Sequence, residues 1–174
     1  MKLHLGCGDK HLDGWQNVDG AALPGVDLVL DVCGGGLAQI PSDSVTWSYT
    51  SHFIEHLPPD LLPGVLAHLY RVLAPGGVLT IATTSLEGIF YNAYAAGYKM
   101  EHVVKYLFGD SCSGDTPLMA HRQVFTEPFL TAFLRAAGFA TVRPWGINQY
   151  PEILRLNDCA VSNTFVSLLL EGVK

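Results

Sequence analysis

The first twenty residues, M-K-L-H-L-G-C-G-D-K-H-L-D-G-W-Q-N-V-D-G, constrain this chain more than any other stretch. Two short apolar runs, residues 2–5 and 16–18, read as strands. Each ends in a residue type suited to the carboxyl edge of a parallel sheet: a Gly-x-Gly turn at Gly6 and Gly8, and an acid at Asp19. Glycine has no side chain and tolerates positive φ, so the backbone there can turn sharply and let a ligand approach. A carboxylate at the tip of the next strand can accept hydrogen bonds from both hydroxyls of a ribose. The same residues would also serve as a plain turn and a solvated strand-end acid, so the remainder of the chain has to discriminate.

Seven residues separate Gly8 from Gln16, whereas parallel strands are normally joined by a dozen or more. The connection is therefore expected to be a loop with at most one turn of helix, a truncated first crossover. A dinucleotide site needs a third glycine three residues after the second and a full helix aimed at the pyrophosphate. His11 occupies that third position, which disfavours a nicotinamide oxidoreductase and favours a nucleoside ligand without phosphates.

The rest of the chain continues a strand and helix rhythm. Residues 26–31 (V-D-L-V-L-D) form an apolar run closing on Asp31, expected as a third, buried strand. Asp31 is placed to accept from an adenine amino group, with the amide of Val32 donating beside it; the alternative is that Asp31 caps the loop. Residues 45–50 alternate and are rich in β-formers, giving a fourth strand. Residues 60–73 repeat apolar positions at helical spacing, with Pro63 in the first turn and A-P-G-G as the stop. Residues 78–83 give a fifth strand. Residues 126–137 give a helix capped by Thr126. Residues 140–147 and 163–170 are expected to close the chain as an antiparallel pair joined by a loop. The forty residues 86–125 break the rhythm with aromatics in two expected helices and a Gly/Ser/Asp/Pro loop over 109–117. Insertions of this length at a ligand edge commonly act as lids or substrate walls, although their aromatics could also simply pack on the sheet. The loop is expected to be the most mobile part of the chain.

Composition narrows the function classes. At 174 residues, 49% hydrophobic and 15% charged, the chain is expected to be one domain with a sizeable core. No apolar run reaches the ~20 residues that span a bilayer. The first residues enter a strand at once with no leader, so a cytoplasmic location is expected. Four scattered cysteines without C-x-x-C spacing are read as reduced, and no metal site is expected. A net charge of −6 with ten Lys and Arg residues lacks the basic footprint of nucleic-acid binding.

Taken in order, L-H-L-G-C-G, N-V-D, L-V-L-D, S-H-F-I-E-H-L, R-V-L-A-P-G-G-V-L and R-A-A-G-F resemble the class I S-adenosylmethionine-dependent methyltransferases over nearly the whole chain. The likeness is nearest to the small bacterial branch often found near surface-polysaccharide genes. The resemblance implies an α/β, Rossmann-like three-layer sandwich. Its seven-stranded, mostly parallel sheet would have the order 3-2-1-4-5-7-6, with the last strand antiparallel. It places Gly6 and Gly8 on the methionine part of S-adenosylmethionine, Asp19 on the ribose, and Asp31 with Val32 on the adenine. Where broader families carry an acid in the first strand, this chain has His4.

The activity implied is methyl transfer to an oxygen or nitrogen of a small molecule or sugar. Such transfer needs alignment and exclusion of water, and a hydroxyl acceptor also needs a base. His52, just past the fourth strand, and His121, at the end of the insertion, are the two candidates. Glu55 and His56 are expected in the first turn of a helix, where an acid suits the dipole. The rival reading is a non-catalytic cofactor-binding domain or partner subunit, suggested by the truncated front end.

Overall fold

A computed structural model describes residues 1–109, 120–156, 158–162 and 164–174. Strand β1 (Lys2–Leu5) turns Leu3 and Leu5 into one buried layer and His4 into another, the period-two alternation of a strand covered on both faces. β2 (Gln16–Asp19), β3 (Leu28–Val29), β4 (Val45–Ser51), β5 (Leu73–Thr84), β6 (Thr141–Pro144) and β7 (Ser167–Val173) complete a seven-stranded sheet. Its order is β3-β2-β1-β4-β5-β7-β6. Strands β1 to β5 pair in parallel, and β7 runs antiparallel to both β5 and β6. This is the architecture that the resemblance implied.

One face of the sheet is covered by helices α1 (Leu62–Val72) and, further along the chain, residues 127–136. Leu62, Leu66 and Leu69 of α1 meet Leu3, Leu5, Leu79 and Ile81 in the larger apolar cluster, together with Leu130 and Leu134. The opposite face carries the first crossover, residues 6–15, which contains no helix. Leu12 and Trp15 of that crossover cover only part of Tyr49 and Ala82, and Trp145, Ile153 and Ala160 cover the rest.

The insertion begins with a short helix α2 (Leu86–Gly88) that continues as a π-helical stretch, Ile89–Tyr94, followed by α3 (Met100–Phe108). Phe90, Tyr91, Tyr94, Tyr98 and Phe108 are exposed, while Tyr106 packs on Phe165. Most of the loop expected to be mobile, residues 110–117, lies outside the described residues, as does Cys112. Helix α4 (Glu127–Ala136) starts as its sequence indicates, with the Thr126 hydroxyl accepting from the Phe129 amide at 3.3 Å.

Three boundaries differ from the sequence expectation. β3 is two residues long because it is the sheet edge, with one neighbour and Val29 facing solvent. β5 starts at Leu73, directly after α1. Leu73 pairs with Val45, and the A-P-G-G segment shifts the register before Val78 pairs with Trp47. β7 starts at Ser167 because its register is set by β5, Thr84 opposite Ser167 through to Val78 opposite Val173.

The connection between β6 and β7 is not a loop: it holds α5 (Pro151–Leu156) and α6 (Cys159–Ser162). These helices are too short to show an apolar period. They are held by tertiary contacts, with Trp145 Nε1 donating to the Ile81 carbonyl at 3.1 Å and the Tyr49 hydroxyl donating to Asp158 at 2.6 Å.

Candidate functional site

The carboxyl ends of β1 to β5 collect the residues that the sequence singled out. Gly6 and Gly8 both have positive φ, +64° and +53°, but for different reasons. A Cβ on Gly6 would sit 2.5 Å from the ring of Phe53, so the glycine admits an aromatic side chain from beyond β4. A Cβ on Gly8 would meet none of the described residues within 4 Å, so among them this turn faces open space. The Gly8 amide donates to Asp19 Oδ2 at 2.9 Å, and the Ala21 amide donates to Oδ1 at 3.0 Å. One carboxylate thus ties the glycine turn to the tip of β2, and each oxygen keeps acceptor capacity for a further donor.

Asp31 lies exposed beyond β3, and its carbonyl accepts from the Gly36 amide at 2.8 Å. A Cβ on Gly34 would come within 2.5 Å of Asp31 Oδ2, so that glycine leaves room for the carboxylate. Val32 beside it is buried. Cys7, inside the glycine turn, is buried, and burial together with the nearby Asp19 charge pushes its thiol up to about 11. It is therefore a thiol, not a thiolate nucleophile, near neutral pH.

At the end of β4 the chain makes a left-handed turn at His52, φ +46°. Among the described residues only Asp43 shares that feature without being glycine. His52 Nδ1 lies 2.9 Å from Glu55 Oε1, and Nε2 lies 2.9 Å from the Ser167 hydroxyl at the start of β7.

Glu55 is not in the first turn of an α-helix. It sits in a single tight turn, Ile54–His56, with no exposed surface. Thr84 donates to its Oε1 from the backbone amide at 3.2 Å and from Oγ1 at 2.8 Å, and Thr83 Oγ1 donates to Oε2 at 2.8 Å. Burial opposes the charge, but the hydrogen bond from His52, joined by the charge of that ring whenever it is protonated, outweighs it and holds the carboxyl down at about 2. The physical reason for the difference is tertiary: the Thr83–Thr84 end of β5 supplies donors that solvent would otherwise supply.

His121 is placed against His56 and not against His52. The two rings stand edge to face with centroids 4.9 Å apart. His121 Nδ1 reaches the Tyr106 carbonyl at 3.0 Å, and burial lowers its proton affinity. The strand-like segment that carries it is pinned to the Glu55 turn, since the Arg122 and Gln123 amides both donate to the Glu55 carbonyl. The glycine turn, Asp19, His52 and the His121 segment therefore share one edge.

Sequence reasoning missed Glu55 and Ser167. The i, i+3 spacing of His52 and Glu55 was a readable signal for a tight turn presenting both on one side. Nothing local signals Ser167, 115 residues from His52 in the chain.

Among the described residues no group of three or more His, Cys, Asp or Glu side chains is arranged to hold a metal ion, and no helix is long and apolar enough to cross a membrane. A separate open cavity of about 250 Å³, lined by His11, Trp15, Glu152 and Arg155 among others, lies where the crossover enters β2, away from the glycine turn.

No protein-family model and no curated protein sequence matches the chain. Solved structures do match its fold. An S-adenosylmethionine-dependent methyltransferase from Archaeoglobus fulgidus superposes with a TM-score of 0.60 at 15% identity, over 99% of this chain and 85% of that one. One from Mesorhizobium loti gives 0.58 at 17% identity, over 99% and 90%. PigF in complex with S-adenosylhomocysteine gives 0.57 at 15% identity, over 99% and 50%.

Proposed function

We propose that this chain, which shares the fold of solved S-adenosylmethionine-dependent methyltransferases, is itself such an enzyme and acts on an oxygen or nitrogen of a small molecule or sugar. The observation that carries the reading is the Gly8 amide bound to Asp19 at 2.9 Å beside open space, at the carboxyl edge of the parallel strands. A nucleoside sulfonium fits these groups: Asp19 keeps acceptor capacity for two ribose hydroxyls, and no described residue comes within 4 Å of where a Cβ on Gly8 would stand. When bound, the cofactor supplies a methyl group already activated by its sulfonium.

The chain's own residues do the rest. Gly6 and Gly8 line the methionine part, Asp19 holds the ribose, and Asp31 with the Val32 amide holds the adenine. His52, or His121 on the adjoining segment, takes a proton from the acceptor. Residues 86–125, with Phe90, Tyr91 and Tyr94 exposed, act as a substrate-side wall that excludes water.

Calorimetry with S-adenosylhomocysteine and, separately, NAD tests the reading. Heat is expected with the first; heat with NAD alone overturns it. A non-catalytic cofactor-binding domain or partner subunit is the second reading, supported by the first crossover having no helix. One matching structure is a complex of a putative methyltransferase with the Haloferax volcanii Trm112 activator. Transfer of label from the cofactor to any component of a cell extract, by the purified chain alone, excludes that second reading.

A further inference from the structure

Glu55 is the most deeply buried carboxylate among the described residues, and its environment decides which nitrogen of His52 carries a proton. Four donors converge on it: His52 Nδ1, the Thr84 amide, Thr84 Oγ1 and Thr83 Oγ1. Three of these reach Oε1 and one reaches Oε2, and an ionised carboxylate is acceptor-only. His52 Nδ1 must then bring the hydrogen to their 2.9 Å contact. A neutral imidazole has one N–H, which leaves Nε2 a bare acceptor, and what Nε2 meets at 2.9 Å is a hydroxyl, Ser167 Oγ. The left-handed backbone at His52, φ +46°, is uncommon away from glycine. It is held by the His52 amide donating to the Ala82 carbonyl at 2.8 Å and by the carboxylate below. Such strain persists only where the surroundings over-determine it.

On the reading that this site transfers a methyl group, we propose that Glu55 is a positioning residue that sets His52 as an Nε2 base. The acceptor is then an alcohol or sugar hydroxyl, which takes up the hydrogen bond that Ser167 makes to Nε2. In the step, the acceptor O–H bond breaks and its proton passes to Nε2. The oxygen bonds the methyl carbon, and the carbon–sulfur bond pair returns to sulfur, leaving a neutral thioether. Buried Glu55 stabilises the imidazolium that forms. A neutral amine attacks through its own lone pair before losing a proton, so a base aimed at an O–H would be superfluous for it. Among the described residues the other titratable side chains facing Glu55 are His56 and His121, and burial lowers the proton affinity of His121.

Nitrogen-15 NMR of the histidine-labelled, ligand-free protein near pH 7 reads the tautomer directly. The Nδ1–H form is expected for His52, and finding the Nε2–H form overturns the proposal without any substitution. Because a buried variant can fail to fold, Glu55→Gln is the second arm. In folded protein it is expected to lower kcat about 10²-fold with S-adenosylhomocysteine affinity and acceptor KM unchanged, and unchanged kcat overturns the positioning role. In a panel of alcohols, sugars and amines, methylation confined to amines overturns the acceptor class. Labelling of Ser167 by a fluorophosphonate also overturns the proposal, since it would make the Glu55–His52–Ser167 array one for acyl transfer. If S-adenosylhomocysteine gives no heat, methyl transfer and the acceptor assignment both fall, and the tautomer, read without ligand, separates that failure from a failure of positioning.

Discussion

The two glycines of the first turn look equivalent in the sequence, and the structure gives them different jobs. Gly6→Ala combines left-handed strain with a methyl 2.5 Å from the Phe53 ring, and should destabilise the fold by about 3 kcal/mol or more. Gly8→Ala meets no atom within 4 Å, so its cost should be about 1–2 kcal/mol of backbone strain, with loss of S-adenosylhomocysteine affinity as the larger effect. Urea unfolding alongside calorimetry separates the two. Asp19 also carries a double load. Asp19→Ala should weaken cofactor binding by about 2–4 kcal/mol, since each charge-assisted hydrogen bond contributes about 1.5–3 kcal/mol. It should also lower stability, because the Gly8 and Ala21 amides lose their acceptor. Asp19→Asn, which keeps an oxygen for one amide, should recover part of the stability and little of the affinity. Equal affinity for wild type and both variants would reduce Asp19 to a strand-end acid.

Helices α1 and α4 were legible because each runs at least ten residues with a one-sided apolar period, and the Thr126 cap of α4 is a local interaction. The β6–β7 connection was not. Its two short helices carry too few residues to show a period, and they are ordered by what they cover, the face that the helix-free first crossover leaves open. Trp145 anchors this cover, almost wholly buried and bonded through Nε1 to Ile81 in β5. Trp145→Ala should therefore cost about 3–5 kcal/mol, read as a fall in the urea midpoint at unchanged slope. Phe129→Ala, on an α4 ring that is 48% exposed, should cost far less. Similar losses for the two would mean that the connection does not serve as the cover of that face.

At the scale of the whole molecule, buried titratable groups set the response to acid. His4 is 1% exposed, stacked on Tyr49, and its Nδ1 has no hydrogen-bond partner among the described residues. Burial lowers its value from 6.5 to about 4, so between those pH values the unfolded chain binds more protons than the folded one. Stability is then complete above pH 6.5 and falls as pH drops towards 4, by about 3 kcal/mol at most. Glu55, held at about 2 against an ordinary 4.5, acts in the next window: its contribution is present above 4.5 and is lost as pH falls towards 2. His4→Phe should flatten the upper window and leave the lower one in place, as checked by urea midpoints from pH 7 to 3. His121, also lowered by burial, should keep a residual slope in the upper window. An unchanged upper window in His4→Phe would remove His4 as its carrier.

The order of apolar runs, the seven-residue first crossover, the glycine turn and the strand-end acids are local properties, and with them the sequence alone determined the succession of strands and helices, while the sheet order followed only from the resemblance that those motifs carry. The succession was legible because alternation, helical period and turn chemistry act over a few neighbouring residues. Only the tertiary structure decided that Phe53 occupies the space above Gly6, that the β6–β7 connection covers the open face, and that Glu55 is a buried hub joining His52 to Thr83 and Thr84. Each of these joins residues from separate elements, in the Ser167 contact across 115 positions, and such contacts exist only once the sheet has brought the strand ends to a common edge.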